Sequence, residues 1–233
     1  MNKKITSLLG SAAVASTLMV APMTSIADDA IVTGNAGILS DYIFRGIFQD
    51  TGVGNGGLDI EYAGFYAGTW IADVGEGVEY DLYAGYKYEF ENAMYLGAGY
   101  TTYQYSDGFD SEYNEINLYA GGSAGDVSLD LEYSIGEYND DFLDKNGMVE
   151  GEDYTFMAAT VGYNGAYLTY GDFGDDADDA LGSYVELGYS MELGGLELTG
   201  ALVHTMDLND GSVDGDDEET EAYVSISWAF DVI

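Results

Sequence analysis

The side chains that could do chemistry in this sequence are carboxylates repeated at a spacing of two. Asp59 and Glu61, Glu79 and Asp81, and Asp130 and Glu132 are such pairs, while Asp41, Glu115 and Glu186 stand singly in segments of the same texture. Residues two apart on an extended chain share a face, so these acids form rows that look into a polar medium. Rows or rings of Asp and Glu favour cations. Among these acids lie two basic residues, Arg45 and Lys87. Asp41 and Arg45 are four residues apart, about 13 Å on a strand rising ~3.3 Å per residue, too far for a mutual ion pair. Arg45 is therefore expected to reach across the ladder to an acid such as Asp59 or Glu61. Two roles fit it: a cation that sets the field at a constriction, or a buried charge that neutralises carboxylates so that the fold can close. Lys87, among Glu79, Asp81 and Glu89, poses the same choice.

Other candidates are weaker. His204 is the single histidine, with Asp207 nearby to orient it. A hydrolase would need a nucleophile beside such a base, and no nucleophile motif accompanies it, so no enzyme is expected. Two acidic runs, Asp172 with Asp175, Asp176, Asp178 and Asp179, and Asp214 with Asp216, Asp217, Glu218 and Glu219, supply oxygen ligands of the kind calcium takes. Neither has EF-hand spacing, and a solvated charged loop is the plainer reading.

These residues sit on strands. Over 36–49, even positions carry Ala36, Ile38, Tyr42, Phe44 and Phe48 and odd positions carry Asp41, Arg45 and Gln49. That reads as one strand between an apolar and a polar environment, followed by a connection over 50–56. The clearest alternation sets Val78, Tyr80, Leu82, Ala84, Tyr86 and Tyr88 against Glu79, Asp81, Lys87 and Glu89; Val127, Leu129 and Leu131 oppose Asp130 and Glu132, and Val185, Leu187 and Tyr189 oppose Glu186. About twelve such strands are expected. Compact connections at Ala63-Gly64, Glu91-Asn92, 121–125, Asn164-Gly165 and Gly194-Gly195 alternate with longer ones at 50–56, 73–77, 106–110, 137–153, 172–182 and 207–220. Dipeptides of the Asn-Gly type close tight hairpins.

The bulk composition agrees. Residues 1–27 read as an export signal: Lys3 and Lys4, then an apolar stretch, then Ser25-Ile26-Ala27 as a cleavage site, leaving 28–233 as one domain. The chain holds 43 acidic residues against five basic ones, two of them in the signal, for a formal net charge of −38. Nucleic acid is excluded as a partner, because phosphate binding needs a basic patch. There is no cysteine to staple the fold, and Pro22 in the signal is the single proline. A proline-free body suits a fold of paired strands, as do 33 glycines and 22 tyrosines. No later segment is apolar and long enough for a helical span.

Alternation alone does not separate a soluble barrel from a membrane barrel, which points its aliphatics at lipid and its charges at the lumen. The export signal, the missing proline, the segregated loop lengths and the tyrosines at strand ends, suited to headgroup depth, favour the membrane. The reading is an all-β, antiparallel up-and-down transmembrane barrel with short periplasmic turns and long acidic extracellular loops. The run Asn35-x-Gly37, Ser40-Asp41-Tyr42-x-Phe44-Arg45-Gly46-x-x-Gln49 and Gly64-Phe65-Tyr66-Ala67-Gly68-Thr69-Trp70 resembles the TorF porin family of proteobacteria. The resemblance implies an outer-membrane barrel of a Gram-negative bacterium and supplies no substrate. One departure is that Phe230 is followed by Asp231-Val232-Ile233, where such barrels usually close on an aromatic residue. The expected function is passive diffusion of small hydrophilic solutes, leaning toward cations, with outer-membrane lipid and lipopolysaccharide as surroundings. A closed barrel acting through its acidic loops is the alternative.

Overall fold

The computed structural model describes residues 30–75, 77–143, 149–208 and 217–232. The export signal read over 1–27 and the loop acids Asp214 and Asp216 lie outside them. Among the described residues twelve strands follow in order: β1 (Ile31–Phe44), β2 (Ile47–Tyr62), β3 (Phe65–Asp73), β4 (Val78–Glu89), β5 (Met94–Tyr105), β6 (Tyr113–Ala124), β7 (Val127–Leu143), β8 (Val149–Tyr163), β9 (Ala166–Asp175), β10 (Ser183–Leu193), β11 (Leu196–Leu208) and β12 (Asp217–Asp231). A single helical turn, α1 (Asp178–Leu181), lies between β9 and β10. Each strand pairs antiparallel with its sequence neighbours, and β1 pairs with β12 from Thr33↔Asp231 to Leu39↔Ser225, so the sheet closes on itself.

The barrel is inside out relative to a soluble domain. Leu168, Leu187 and Leu202 stand in one cross-strand row and face outward, Leu187 being 56% exposed. Leu82 and Tyr86 are likewise exposed, whereas their neighbours Glu79 and Asp81 are buried inside. An aliphatic belt outside and carboxylates inside is the arrangement of an outer-membrane barrel. The end bearing Ala63-Gly64, Asn164-Gly165 and Gly194-Gly195 is the periplasmic one by the short-turn rule. Both residues of each of these turns have positive φ, for example 50° and 85° at Asn164-Gly165, the twist that matches flanking strands.

Several boundaries differ from those read in the sequence. Residues 50–56 are not a loop: they belong to β2, and the first connection is the two-residue turn Arg45-Gly46. At the other end β6 runs through to Ala124, so the compact connection there is Gly125-Asp126 rather than 121–125. The long connections over 137–153, 172–182 and 207–220 are shortened by β7 to β9, β11 and β12, which continue toward the outer end. Beyond the membrane both faces of a strand meet water, so the alternation that marks a strand fades.

Candidate functional site

The site is built by a hairpin that leaves the barrel wall. The backbone of β1 pairs with β12 only as far as Leu39, and β2 pairs with β3 only from Asn55 onward. Between those points residues 40–54 pair with one another, through Asp41↔Thr51, Tyr42↔Asp50, Ile43↔Phe48 and Phe44↔Ile47. Tyr42 and Ile43 are consecutive, yet they are 4% and 1% exposed. Consecutive strand residues point to opposite faces, so both faces of this hairpin are covered: it lies within the lumen. Its tip is touched from around the barrel. Tyr42 packs on Trp70 of β3 at 5.6 Å between ring centroids and donates to Glu79 of β4 at 3.2 Å. Phe44 meets Tyr103 of β5 at 5.6 Å. The Gly46 carbonyl accepts from Thr205 Oγ1 of β11 at 2.6 Å. Gly46 has φ +86°, and a Cβ there would come within 2.7 Å of Tyr184 on β10. Leu39, Tyr42, Ile43 and Val53 are the buried apolar anchors, worth about 6–12 kcal/mol together at ~1.5–3 kcal/mol per side chain.

Arg45, 2% exposed, closes the tip against the far wall. Its guanidinium is bidentate to Glu115 of β6, with Nη1 to Oε1 and Nη2 to Oε2 at 3.0 Å, and Nη2 also donates to Glu132 of β7 at 2.8 Å. The planar fork matches a carboxylate in this geometry. The Phe156 ring of β8 lies 4.0 Å from its Cζ, a cation–π contact. Glu115 further accepts from Tyr154 Oη at 2.7 Å and Asn117 Nδ2 at 2.7 Å, and Asn117 donates to Ser134 Oγ at 2.9 Å. The expectation that Arg45 reaches Asp59 or Glu61 is therefore corrected. The turn carries the side chain off the wall and across the lumen, where those two acids are not its partners. One guanidinium serves two carboxylates, so the cluster holds more acids than bases.

Four of the remaining acids, Asp59, Glu79, Asp130 and Glu186, take tyrosine rather than basic partners. Asp59 accepts from Tyr83 at 2.5 Å, Asp130 from Tyr95 at 2.7 Å, and Glu186 from Tyr167 and Tyr223 at 2.7 Å each. Lys87 pairs with Glu89 at 2.9 Å and lies 4.7 Å from the Tyr95 ring. Asp59, Glu61, Glu79, Asp81, Lys87, Glu115, Asp130, Glu132 and Glu186 all fall on the inward-facing positions of their strands, while Asp41 lies half-buried on the hairpin stem. The tyrosine partners do not stand out in the sequence, where tyrosine reads as an interfacial residue. Their signal was parity: Tyr83 shares a face with Asp81, and Tyr167 with Thr169.

The buried acids Glu79, Asp81, Glu115 and Glu186 lie toward the outer end, around the hairpin, whereas Asp59, Glu61 and Asp130, nearer the periplasmic turns, are half-buried; Lys87, Tyr66, Tyr167 and Ser190 are buried near that end as well. His204 faces outward near the outer rim, with Nδ1 2.9 Å from Thr220 Oγ1. Asp176 Oδ2 accepts from the Asp153 amide at 3.2 Å. Among the described residues no three or more His, Cys, Asp or Glu side chains converge as a metal-binding group.

A family model described as "Bacterial protein of unknown function (Gcw_chp)" matches residues 26–224. No curated protein matches the chain significantly. Among solved structures it is similar to the KdgM porin in complex with disordered oligogalacturonate, at 10% identity and a TM-score of 0.55 over 87% of this chain and 99% of that one. It is similar to the NanC porin at 11% identity and a TM-score of 0.55, over 87% of this chain and 100% of that one. The COG4313 outer membrane channel from Pseudomonas putida F1 matches at 14% identity and a TM-score of 0.56, over 86% of this chain and 94% of that one. At such identities the likeness is one of fold, and the fold is that of outer-membrane porin barrels.

Proposed function

The chain belongs to the Gcw_chp family of bacterial proteins of unknown function, and we propose that it is a passive outer-membrane channel for small hydrophilic solutes, leaning toward cations. The observation that carries this reading is the charge of the inner wall. Eight carboxylates, Asp59, Glu61, Glu79, Asp81, Glu115, Asp130, Glu132 and Glu186, face inward with Lys87 on the same wall, and Arg45 reaches Glu115 and Glu132 from the hairpin. A low-dielectric tube lined by one sign of charge concentrates the opposite ion. In this reading the hairpin tip sets the narrowest section, with Arg45 both neutralising and constricting. The family model that matches is Gcw_chp, whose own description assigns no function, and not the TorF porin family that the first strands resemble, so the reading is carried by the barrel and its wall. Outer-membrane lipid around the belt and lipopolysaccharide at the outer rim are the surroundings proposed. No catalytic role is proposed for His204, whose ring is turned away from the lumen.

Purified protein in planar bilayers separating unequal KCl solutions tests this. Discrete conductance with a reversal potential toward that of K+ is expected. Silence under conditions that open known porins would refute it. A second reading, a closed barrel with a binding or structural role, is favoured by the apolar packing around the tip. It predicts silence in the intact protein and conductance once residues 41–53 are replaced by a short glycine link.

A further inference from the structure

Glu79 and Asp81 point into the lumen from β4, about 6.6 Å apart along the strand at ~3.3 Å per residue. Asp81 is 7% exposed and Glu79 is 1% exposed. The Oδ1 atom of Asp81 is buried and accepts no hydrogen bond among the described residues. No ion pair among the described residues reaches either acid: Arg45 is held by Glu115 and Glu132, and Lys87 by Glu89. Buried charge is costly unless it is paired and hydrogen-bonded. Here two carboxylates share one dry stretch of wall with nothing basic beside them, and Asp81 also feels the charges of Glu79 and Glu115.

Tyrosine hydroxyls flank the pair on the hairpin and β5 side, and Ala72 and Trp70 of β3 flank it on the other. Tyr42 Oη donates to Glu79 Oε1 at 3.2 Å. Tyr105 stands opposite Glu79 and Tyr103 opposite Asp81 in the β4–β5 register. Trp70 stands opposite Asp81 on the other side, in the β3–β4 register. A hard cation selects carboxylate and hydroxyl oxygens of this kind, and a charge of +2 would balance both acids. A proton shared by the pair is the competing solution.

We propose that Glu79 and Asp81 form an intralumenal site for a hard divalent cation of calcium's class, beneath the hairpin and reported by Tyr42 and Trp70. The site would give the cation-leaning reading its point of binding; it rests on that reading for a part in transport but not for binding itself.

The test uses the full barrel in detergent with Tb3+ as the probe, and tryptophan-sensitised Tb3+ emission as the readout. Of the two tryptophans, Trp70 lies beside the site and Trp228 is exposed on the outer face. With excitation at the red edge, where indole absorbs and phenol does not, emission is expected in the wild type, displaced by excess Ca2+ and lost in Trp70→Phe. It is expected to disappear in Glu79→Gln and in Asp81→Asn, and to survive in Asp59→Asn, whose acid is held by Tyr83. Heat-dependent gel mobility shows that each variant is folded, and removing one of two unpaired charges favours folding without metal. No emission in the folded wild type, as a shared proton requires, would overturn the proposal. So would emission that persists in both site variants, as ions bound only at the surface acids require. A silent bilayer would remove the channel reading and leave this result standing, and the converse holds as well.

Discussion

Arg45→Ala is the perturbation that most directly tests how the hairpin is held. The substitution takes away a guanidinium that is bidentate to Glu115 and bonded to Glu132 at 2.8 Å. It leaves two buried carboxylates facing each other without a cation. Breaking a buried pair from one side costs about 3–5 kcal/mol, much of it the penalty for the charge left behind. The apolar anchors Leu39, Tyr42, Ile43 and Val53 together contribute about 6–12 kcal/mol. Since the anchors outweigh the loss, the tip is expected to stay docked while the barrel loses stability. Urea unfolding in lipid vesicles, followed by Trp70 fluorescence in a Trp228→Phe background, reads both quantities. The midpoint should fall by an amount equivalent to about 3–5 kcal/mol, while the native emission of Trp70, packed on Tyr42, stays unchanged. The triple variant Arg45→Met, Glu115→Gln, Glu132→Gln removes all three charges, and its midpoint should return to within about 1 kcal/mol of wild type or exceed it. An unchanged midpoint in Arg45→Ala would refute the reasoning, because it would mean that the two carboxylates are not buried against the guanidinium.

Two further substitutions probe the parts separately. Gly46→Ala places a Cβ within 2.7 Å of Tyr184 at φ +86°, a strain of about 1–3 kcal/mol located at the tip; the midpoint should fall and any bilayer conductance should rise, and a variant identical to wild type in both would argue against the tip's position. Leu187→Arg puts a charge into the outward row with Leu168 and Leu202; folding into vesicles should be weakened by about 2–4 kcal/mol, and an unperturbed yield and midpoint would mean that this row does not meet lipid.

Most of the wall was legible because lipid writes it into the sequence. An aliphatic at Leu82 or Leu187 beside a carboxylate at Asp81 or Glu186 is a local signal, repeated on strand after strand. The outer strand ends were not legible, because residues such as those near Asp140 and Asp153 are exposed on the described parts of β7 and β8 and carry no alternation. The tyrosines were half legible: Tyr86 and Tyr189 do face outward, but Tyr83, Tyr95 and Tyr167 hydrogen-bond to acids.

The hairpin escaped for a more specific reason. A two-residue turn normally exchanges the inward parity of its strands, as from Asp59 in β2 to Gly68 in β3. Between β1 and β2 the register shifts by one between Tyr42 and Ile43, so the pairing passes from Ile43↔Phe48 to Leu39↔Val53. The irregularity cancels the exchange, and odd residues face inward in both stems, from Asn35 and Gly37 to Asn55, Gly57 and Asp59. A period-two reading therefore runs straight through the turn and sees one strand. What pulls the tip inward is also remote, since Arg45 finds Glu115 and Glu132 at separations of 70 and 87 residues. The one local trace is Tyr42-Ile43-Phe44, three large apolar residues in succession just before Arg45-Gly46. A strand with lipid on one side and water on the other has use for such residues only at alternate positions. Apolar side chains on both faces imply that both are covered, and in a barrel wall the place where that can happen is the lumen.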